Sequence, residues 1–286
     1  MTEATVAVGA TYEPYTGRVD EDASTAYALA TNDPNEAYLT GGAVPPLFTV
    51  SLINASFVDA SQRSVPPGAV RGARTGVHAQ HDMRFVNPVR PGMAVQWRTT
   101  AHSARQTAAG AMVTQRIVVS DLEGATLVEH LWSSIHIGGT IGADLGPRLA
   151  DHTFPPEARE RPLGVHAVDV TADQTFRYAG VSMDHSPHCV DDEAARREGF
   201  PGKILQGLCT FAMCSGAVVK IGAHGDPHRL RRLAGRFSAP MFPRRQLAVA
   251  VYDAGLTEDG ARALAFEATS NGVTVVKHGR AELHQA

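Results

Sequence analysis

The sequence predicts an α+β fold in which one unit, a buried helix followed by an antiparallel run of strands, occurs twice. Two sequence motifs recur at nearly the same offset, and in the same order. In each copy an apolar segment of helical length precedes segments in which apolar and polar residues alternate. Alternation with a period of two is typical of half-buried strands, whereas a long apolar segment indicates a buried helix.

The repeat rests on two independent matches. YALATND at 27–33 matches YAGVSMD at 178–184, a shift of 151 residues, through a tyrosine, an alanine, a hydroxyl residue and an aspartate. RFVNPVRP at 84–91 matches RFSAPMFP at 236–243, and both follow R-F-x-x-P-x-x-P at a shift of 152. Matches in the same order and at nearly one offset indicate a duplicated structural unit.

A segment between the copies is typical of a linker. Residues 138–163, GGTIGADLGPRLADHTFPPEARERPL, are rich in Gly, Pro and charge and show no sustained period. We therefore predict an N-terminal half at 1–140, a linker at 141–162 and a C-terminal half at 163–286.

The second copy shows its elements most clearly. Acidic residues first, arginines late and a final Gly predict a short helix over Asp191–Gly199. Ile204–Ile221 is apolar on every face, which predicts a buried helix. Four strands are predicted to follow, at Arg232–Ser238, Gln246–Asp253, Ala261–Thr269 and Val273–Leu283.

The first copy repeats this order. A shorter apolar helix is predicted over Pro45–Phe57. Strands are predicted around His81–Phe85, Ala94–Ser103, Ala111–Ser120 and Thr126–Ile137. We expect each sheet to wrap around its own helix.

Composition narrows the function classes. A net charge of -3 provides no basic surface for nucleic acid, and no run of about 18 apolar residues predicts a membrane span. Three cysteines without metal-ligand spacing, and the absence of a phosphate-binding Gly loop, lead us to expect no metal or other cofactor. The first residues lack a basic segment followed by an apolar core, so we expect a cytoplasmic protein.

The order of motifs in the second copy resembles a known family. Y-A-x-x-S-x-D-x-x-P at 178–187 precedes G-F at 199–200, I-L-x-G-L at 204–208 and R-F-x-x-P at 236–240. Together with the helix that a sheet is predicted to wrap in each copy, this pattern resembles the MaoC-like double hot-dog (R)-specific enoyl-thioester hydratases and dehydratases. ATNDPNEAY and AVPPLF in the first copy resemble the non-catalytic half of such proteins.

The resemblance implies a double hot-dog fold and a lyase of the hydratase/dehydratase type. Its substrate would be a 2-enoyl or 3-hydroxyacyl thioester linked to CoA or to an acyl carrier protein, and a homodimer is possible. An Asp and a His would share the water that is added or removed. Backbone N–H groups at Gln206, Gly207 and Leu208 would stabilise the thioester oxygen as it gains charge.

The sequence departs from the family pattern at the site itself. The family loop runs roughly S-G-D-x-N-P-x-H-x-D, and here Asp184 and Pro187 match its Asp and Pro. Cys189, however, occupies the position of the catalytic His. The other departures are Met183 for Gly, Ser186 for Asn, and Gln206 for a His at the helix entry.

These departures leave three alternatives open. His188 could replace the missing His; Asp184 could act with Cys189 or Gln206 in a non-hydrating isomerase or cyclase; or the site could be a dead one that only binds acyl thioesters. We expect Asp184 to be essential and ordinary crotonyl-type hydration to be weak or absent. Asp33, the counterpart of Asp184, is expected to hold a turn, and His78 and His81 are expected to be structural or at the surface.

The predicted site therefore contains two catalytic candidates, Asp184 and His188. The predicted substrate-binding residues come from both copies: Tyr178, Ser182, Cys189, Gln206, Gly207, Leu208, Pro46 and Phe48. We expect the pocket to lie between the halves, with residues 45–48 lining part of an acyl tunnel.

Overall fold

The computed structural model describes residues 4–285 and shows the same order of elements twice. The first half contains a short strand, three helices and four long strands. These are β1 (Tyr15–Arg18), α1 (Glu21–Ala30), α2 (Glu36–Leu39), α3 (Thr49–Ser64), β2 (Thr75–Phe85), β3 (Ala94–Thr107), β4 (Gly110–Asp121) and β5 (Thr126–Ile137).

The second half follows a 3₁₀ turn at Pro156–Glu160. Its elements are β6 (Pro162–Val170), α4 (Gln174–Ser182), α5 (Pro187–Val190), α6 (Asp192–Arg197), α7 (Gly207–Gly222), β7 (Leu230–Phe237), β8 (Arg245–Leu256), β9 (Arg262–Ser270) and β10 (Val273–Leu283). The predicted α+β class and all eight predicted strands are confirmed. The division of the chain at residues 140 and 163 stays a prediction.

The helix of the first half differs from its prediction. α3 begins at Thr49 instead of Pro45 and continues to Ser64, beyond the predicted end at Phe57. Pro46 disfavours helical geometry at Pro45, because the residue before a proline is pushed towards an extended conformation. The elements β1, α1, α2, β6, α4 and α5 were not predicted, since none of them carries a long apolar or alternating pattern.

All ten strands form a single antiparallel sheet. Its order is β1-β3-β4-β5-β2-β7-β10-β9-β8-β6, so the two half-sheets meet where β2 pairs with β7. The central helices α3 and α7 pack against the strands of their own halves. One apolar core runs through both halves and includes α3, α7 and the strands beneath them. None of the helices in residues 4–285 combines the length and apolar character that crossing a membrane requires.

The two copies also meet through their repeated tyrosines. The hydroxyls of Tyr27 and Tyr178, counterparts in the repeat, lie 3.3 Å apart in the buried contact between α1 and α4. Their rings pack edge to face, with centroids 5.7 Å apart. Burial raises the pKa of both phenols, so both remain protonated and can hydrogen-bond to each other.

A buried ion pair spans the junction of the two half-sheets. Arg232 of β7 donates to both carboxylate oxygens of Asp82 of β2, over 3.0 and 2.7 Å. The side chains are only 6% and 1% exposed. Glu282 of β10 lies 3.3 Å from the same guanidinium. A bidentate contact of this kind fixes the lateral position of β7 against β2.

We expect Asp82→Asn to lower the free energy of unfolding by about 3–5 kcal/mol, because it leaves the Arg232 cation buried without its main partner. Urea denaturation would measure the loss. Asp59→Asn is the matched control, since Asp59 pairs with Arg63 at the surface, where both side chains are about half exposed. A surface pair should contribute less than about 1 kcal/mol. Equal losses in the two variants would contradict this account of the junction.

Asp33, the counterpart of Asp184, is packed against the opposite half. Its Oδ2 would lie 2.8 Å from a Cβ at Gly216 of α7, so the helix approaches it closely only because residue 216 is Gly. Burial raises the pKa of Asp33 to about 6, although an N–H bond from Asn35 and the charge of Lys220 oppose the shift. The bond from Asn35 agrees with the predicted turn.

This raised pKa has a consequence for stability. An aspartate whose folded pKa exceeds its unfolded value stabilises the fold below about pH 4, and the contribution is lost as the pH rises through about 6. We expect Asp33→Asn to remove that loss and to stabilise the protein at pH 7 by about 1–3 kcal/mol. Melting temperatures of both proteins between pH 4 and 8 test this. Parallel curves for the two proteins would show that the carboxylate carries no penalty.

Candidate active site

A cavity of about 840 Å³ lies between the two halves. The first half contributes one face of α3 and the inner faces of β2, β4 and β5. The second half contributes the loop after α4, the start of α7 and the chain that follows β7. Asp184, Gln206, Gly207 and Leu208 all line this cavity.

The loop that carries Asp184 starts at a left-handed turn. Met183 ends α4 with φ of 59°, the region that favours Gly, which explains why the resembled family has Gly there. Two contacts hold this turn in place. Asn54 of α3 donates to the carbonyl of Met183 over 3.0 Å, and the N–H of Asp184 donates to Ser182 Oγ over 3.2 Å. The first half therefore helps to position the loop.

Asp184 has one carboxylate oxygen fixed and one unused. Its Oδ1 accepts hydrogen bonds from the N–H of Ser186 over 3.1 Å and from the Ser186 hydroxyl over 2.6 Å. Within residues 4–285, Oδ2 has no hydrogen-bond partner, and the side chain borders the cavity. The geometry thus leaves one oxygen of a fixed carboxylate available to a ligand or a water molecule.

Gln206 joins this loop to the start of α7. Its side-chain amide donates to the carbonyls of Asp184 and Thr175, over 3.1 and 3.0 Å. The backbone carbonyl of Gln206 accepts hydrogen bonds from the N–H groups of Cys209 and Thr210. No acceptor for the N–H groups of Gly207 and Leu208 is found in the described part of the chain. Two free N–H groups at the positive end of a 16-residue helix form a site for a developing negative charge.

The two loop residues proposed as partners of Asp184 are engaged differently. His188 Nδ1 lies 3.0 Å from Glu198 Oε2, and its ring packs against Phe200. It lines the cavity, but no hydrogen bond joins it to Asp184 among the residues described. Cys189 is buried, and burial together with the nearby Asp184 charge raises its pKa. Its thiol therefore stays protonated, and is a poor base.

Four predicted substrate-binding residues lie outside the cavity wall. Tyr178 is buried against Tyr27, and Ser182 is buried beneath the loop that it supports. Pro46 borders a second, smaller cavity of about 90 Å³, and Phe48 is buried edge-on against Tyr27. The predicted tunnel lining by residues 45–48 is corrected accordingly, because α3 begins later than predicted. The cavity-facing residues of α3 and of the position after it are Asn54, Phe57, Val58, Ser61, Gln62 and Val65.

The structure adds a histidine that the sequence did not assign to the site. His78 of β2 lines the cavity, with its ring stacked on Trp132 and tilted against Phe237, at centroid distances of 4.7 and 4.8 Å. Phe237 also lies about 3.5 Å from the position of a Cβ at Gly207. His78 was expected to be structural or at the surface, because nothing in HAQHDMRF shows which way its side chain points.

Comparison with known proteins agrees with this geometry. The family model described as "MaoC like domain" matches residues 154–277. Among curated proteins, the peroxisomal enoyl-CoA hydratase 2 of Arabidopsis thaliana is 34% identical over 98 residues, which cover 34% of this chain and 31% of that protein. The chain covers between 31% and 57% of the length of the first three curated relatives that it matches.

Solved structures show the same fold over nearly the whole chain. A MaoC-like dehydratase from Phytophthora capsici matches with a TM-score of 0.81 at 20% identity, covering 98% of both chains. A conserved hypothetical protein from Mycobacterium tuberculosis, described as a double hotdog fold, matches with a TM-score of 0.62 at 13% identity, covering 96% of both chains. The predicted double hot-dog fold is confirmed. The second half of the chain therefore resembles the MaoC-like domain, whose model matches residues 154–277.

Proposed function

We propose that this protein is a hydratase/dehydratase that adds water to a 2-enoyl thioester or removes it from a 3-hydroxyacyl thioester. One observation carries the proposal: Asp184 presents an unused carboxylate oxygen to the cavity in which the first N–H groups of α7 also lie. A proton acceptor for water and a site for a charged oxygen are the two elements that this chemistry requires.

Each element has a defined task in hydration. The carboxylate of Asp184 takes a proton from water as the water oxygen bonds to C3 of the substrate. The thioester oxygen gains negative charge as electron density moves towards it, and the N–H groups of Gly207 and Leu208 stabilise that charge. Ser186 holds the carboxylate, and Gln206 holds the loop against the helix, so both are positioning residues.

The cavity suits an acyl chain that extends from the second half into the first. Apolar side chains from α3, from the residue after it, and from β4 and β5 line the part of the wall that the first half contributes: Phe57, Val58, Val65, Val113 and Ile137. Burial of methylene groups against such a wall contributes about 0.8 kcal/mol each. The Arabidopsis relative is named an enoyl-CoA hydratase, and we propose a CoA thioester as the substrate here.

We expect Asp184→Asn to reduce the hydration of (2E)-butenoyl-CoA by about 10²–10⁴-fold, because the amide cannot take the proton of water. Binding of the thioester should persist, since Asn keeps the shape of the side chain. Loss of absorbance of the enoyl thioester gives the rate, and calorimetric titration gives the affinity.

The matched control for that variant is Asp33→Asn, which changes the same atoms at the repeat counterpart, away from the cavity. Its hydration rate should equal that of the wild type. A protein that binds enoyl-CoA but never hydrates it, with Asp184 present, would support a binding module instead of an enzyme.

The loop histidine provides a further test. Because His188 is engaged by Glu198 and not by Asp184, we expect His188→Ala to keep the hydration rate within about threefold of the wild type. Removal of a general acid–base group would instead lower the rate by about 10²–10⁴-fold. Glu198→Gln is the matched control, and it should behave in the same way. A loss of 10²-fold or more in His188→Ala would show instead that His188 is the proton-transfer partner of Asp184.

A further inference from the structure

Three histidines, one partly buried and two fully buried, form a hydrogen-bonded chain beside the cavity. His78 Nε2 lies 3.2 Å from His81 Nδ1, and His81 Nε2 lies 3.1 Å from His130 Nδ1. The other nitrogen of His130, Nε2, lies 3.1 Å from the hydroxyl of Thr49 at the start of α3. The chain uses both ring nitrogens of His81 and His130, which suits proton transfer better than metal binding.

One backbone carbonyl determines the direction of this chain. His78 Nε2 also lies 3.1 Å from the carbonyl oxygen of Gln80, which can only accept a hydrogen bond. His78 therefore carries its proton on Nε2 and shares it between the Gln80 carbonyl and Nδ1 of His81, which is an acceptor. It follows that His81 donates through Nε2 to His130, and that His130 donates through Nε2 to Thr49.

A bulge in β2 brings the first two rings together. Residues three apart on a regular strand point to opposite faces of the sheet. The register of β2 against β5 shifts between His78, opposite Ser134, and Gln80, opposite Ser133. The extra residue turns His78 to the same face as His81, as bulges near functional sites commonly do.

The two ends of the chain lie in different cavities. His78 lines the large cavity, and its Nδ1 has no hydrogen-bond partner in the part of the molecule that the structure describes. Since Nε2 carries the proton, Nδ1 has a free lone pair. Thr49 lines the smaller cavity, which adjoins the end of β2 at Phe85, together with Val86 and Pro227. The chain thus connects two cavities through the core of the protein.

We propose that His78 is the second proton-transfer group of the active site, opposite Asp184, and that His81, His130 and Thr49 relay its proton to the smaller cavity. This inference rests on the proposed hydratase/dehydratase function. It replaces the catalytic His that the loop lacks with one from the other half of the chain. His78 is the residue that would contact the substrate, and the other three act through it.

The proton balance can be written for dehydration. His78 Nδ1 takes the proton from C2, and protonated Asp184 gives its proton to the hydroxyl that leaves C3 as water. His78 passes its Nε2 proton to His81, His81 passes its own to His130, and His130 passes its own to Thr49, whose hydroxyl proton leaves into the smaller cavity. Each ring ends neutral, with its proton on Nδ1. Transfer in the reverse direction, from the smaller cavity along the chain to His78, releases the Nδ1 proton of His78 to Asp184 and restores the starting state.

Burial explains why a relay is needed. It lowers the pKa of His78 and of His130 to about 3, and it lowers the pKa of His81 well below the usual value, with the help of its two histidine neighbours. An isolated imidazole in this position would be a weak base, since its cation is poorly solvated. A chain that passes one proton on while it accepts another need never hold the cation.

The first test compares hydration rates of (2E)-butenoyl-CoA. We expect His78→Gln to lose about 10²–10⁴-fold in kcat with little change in substrate affinity. Thr49→Val, which nearly preserves shape but breaks the relay at its far end, should lose about tenfold and change the solvent deuterium isotope effect on kcat. His152→Gln is the matched control, because His152 is a buried histidine outside both cavities. Its rate should equal that of the wild type.

A second test needs no substrate and no variant. Nitrogen-15 NMR of histidine-labelled wild-type protein distinguishes imidazoles protonated at Nε2 from those protonated at Nδ1. We expect Nε2–H in His78, His81 and His130 at pH 7. A proton on Nδ1 of His78 would overturn the inference, whatever the rates show.

The outcomes separate this inference from the function on which it rests. If wild type hydrates the thioester and His78→Gln remains within about tenfold of it, His78 is not the proton-transfer group, while the proposed function stands. If wild type hydrates no enoyl-CoA, both fail. Loss of rate in His78→Gln and in Thr49→Val, with an unchanged His152→Gln, supports the relay.

Discussion

The pairing of β2 with β7 is the contact on which the rest of this structure depends. It joins two half-sheets into one, and the buried Asp82–Arg232 ion pair keeps the two strands in register. Because the sheet is continuous, α3 and the loop after α4 both come to line one cavity. The same strand β2 then contributes His78 to that cavity. Neither half alone would enclose the site, so duplication of the unit is part of the chemistry as well as of the fold.

Duplication has produced two copies that carry different parts of the site. In the second half, Asp184 lies in a loop that Ser186 and Gln206 hold open to the cavity. In the first half, α7 packs closely against the counterpart residue Asp33 at Gly216. The aspartate at this position of the repeat is therefore a candidate catalyst in the second copy and a turn residue in the first. The first half in turn supplies the histidine chain, which has no counterpart among the second-half residues that line the cavity.

The departures from the family loop can now be interpreted together. Cys189 is buried and protonated beside Asp184, so it fills space where the resembled family has a reactive imidazole. His188 is held by Glu198. The missing partner in the loop led us to expect weak or absent crotonyl-type hydration. On our proposal that expectation no longer follows, because a proton-transfer group reaches the cavity from another strand. On our proposal the imidazole comes from His78 of β2 instead of from the loop, and its role in proton transfer is the same.

The sequence by itself determined the repeat, the α+β class and the strands, because these follow from local patterns that every copy of the unit must keep. The resemblance of its loop singled out Asp184 as the catalytic candidate. It also indicated the start of α7 at Gln206 as a site for a charged oxygen. Only the tertiary structure decided that residues of α3 after Thr49, and not residues 45–48, face the cavity, since that depends on where the helix begins. The same holds for His78. A single bulge in β2 reverses the direction of its side chain, and a bulge is set by how two strands pair, which no pattern in one strand records.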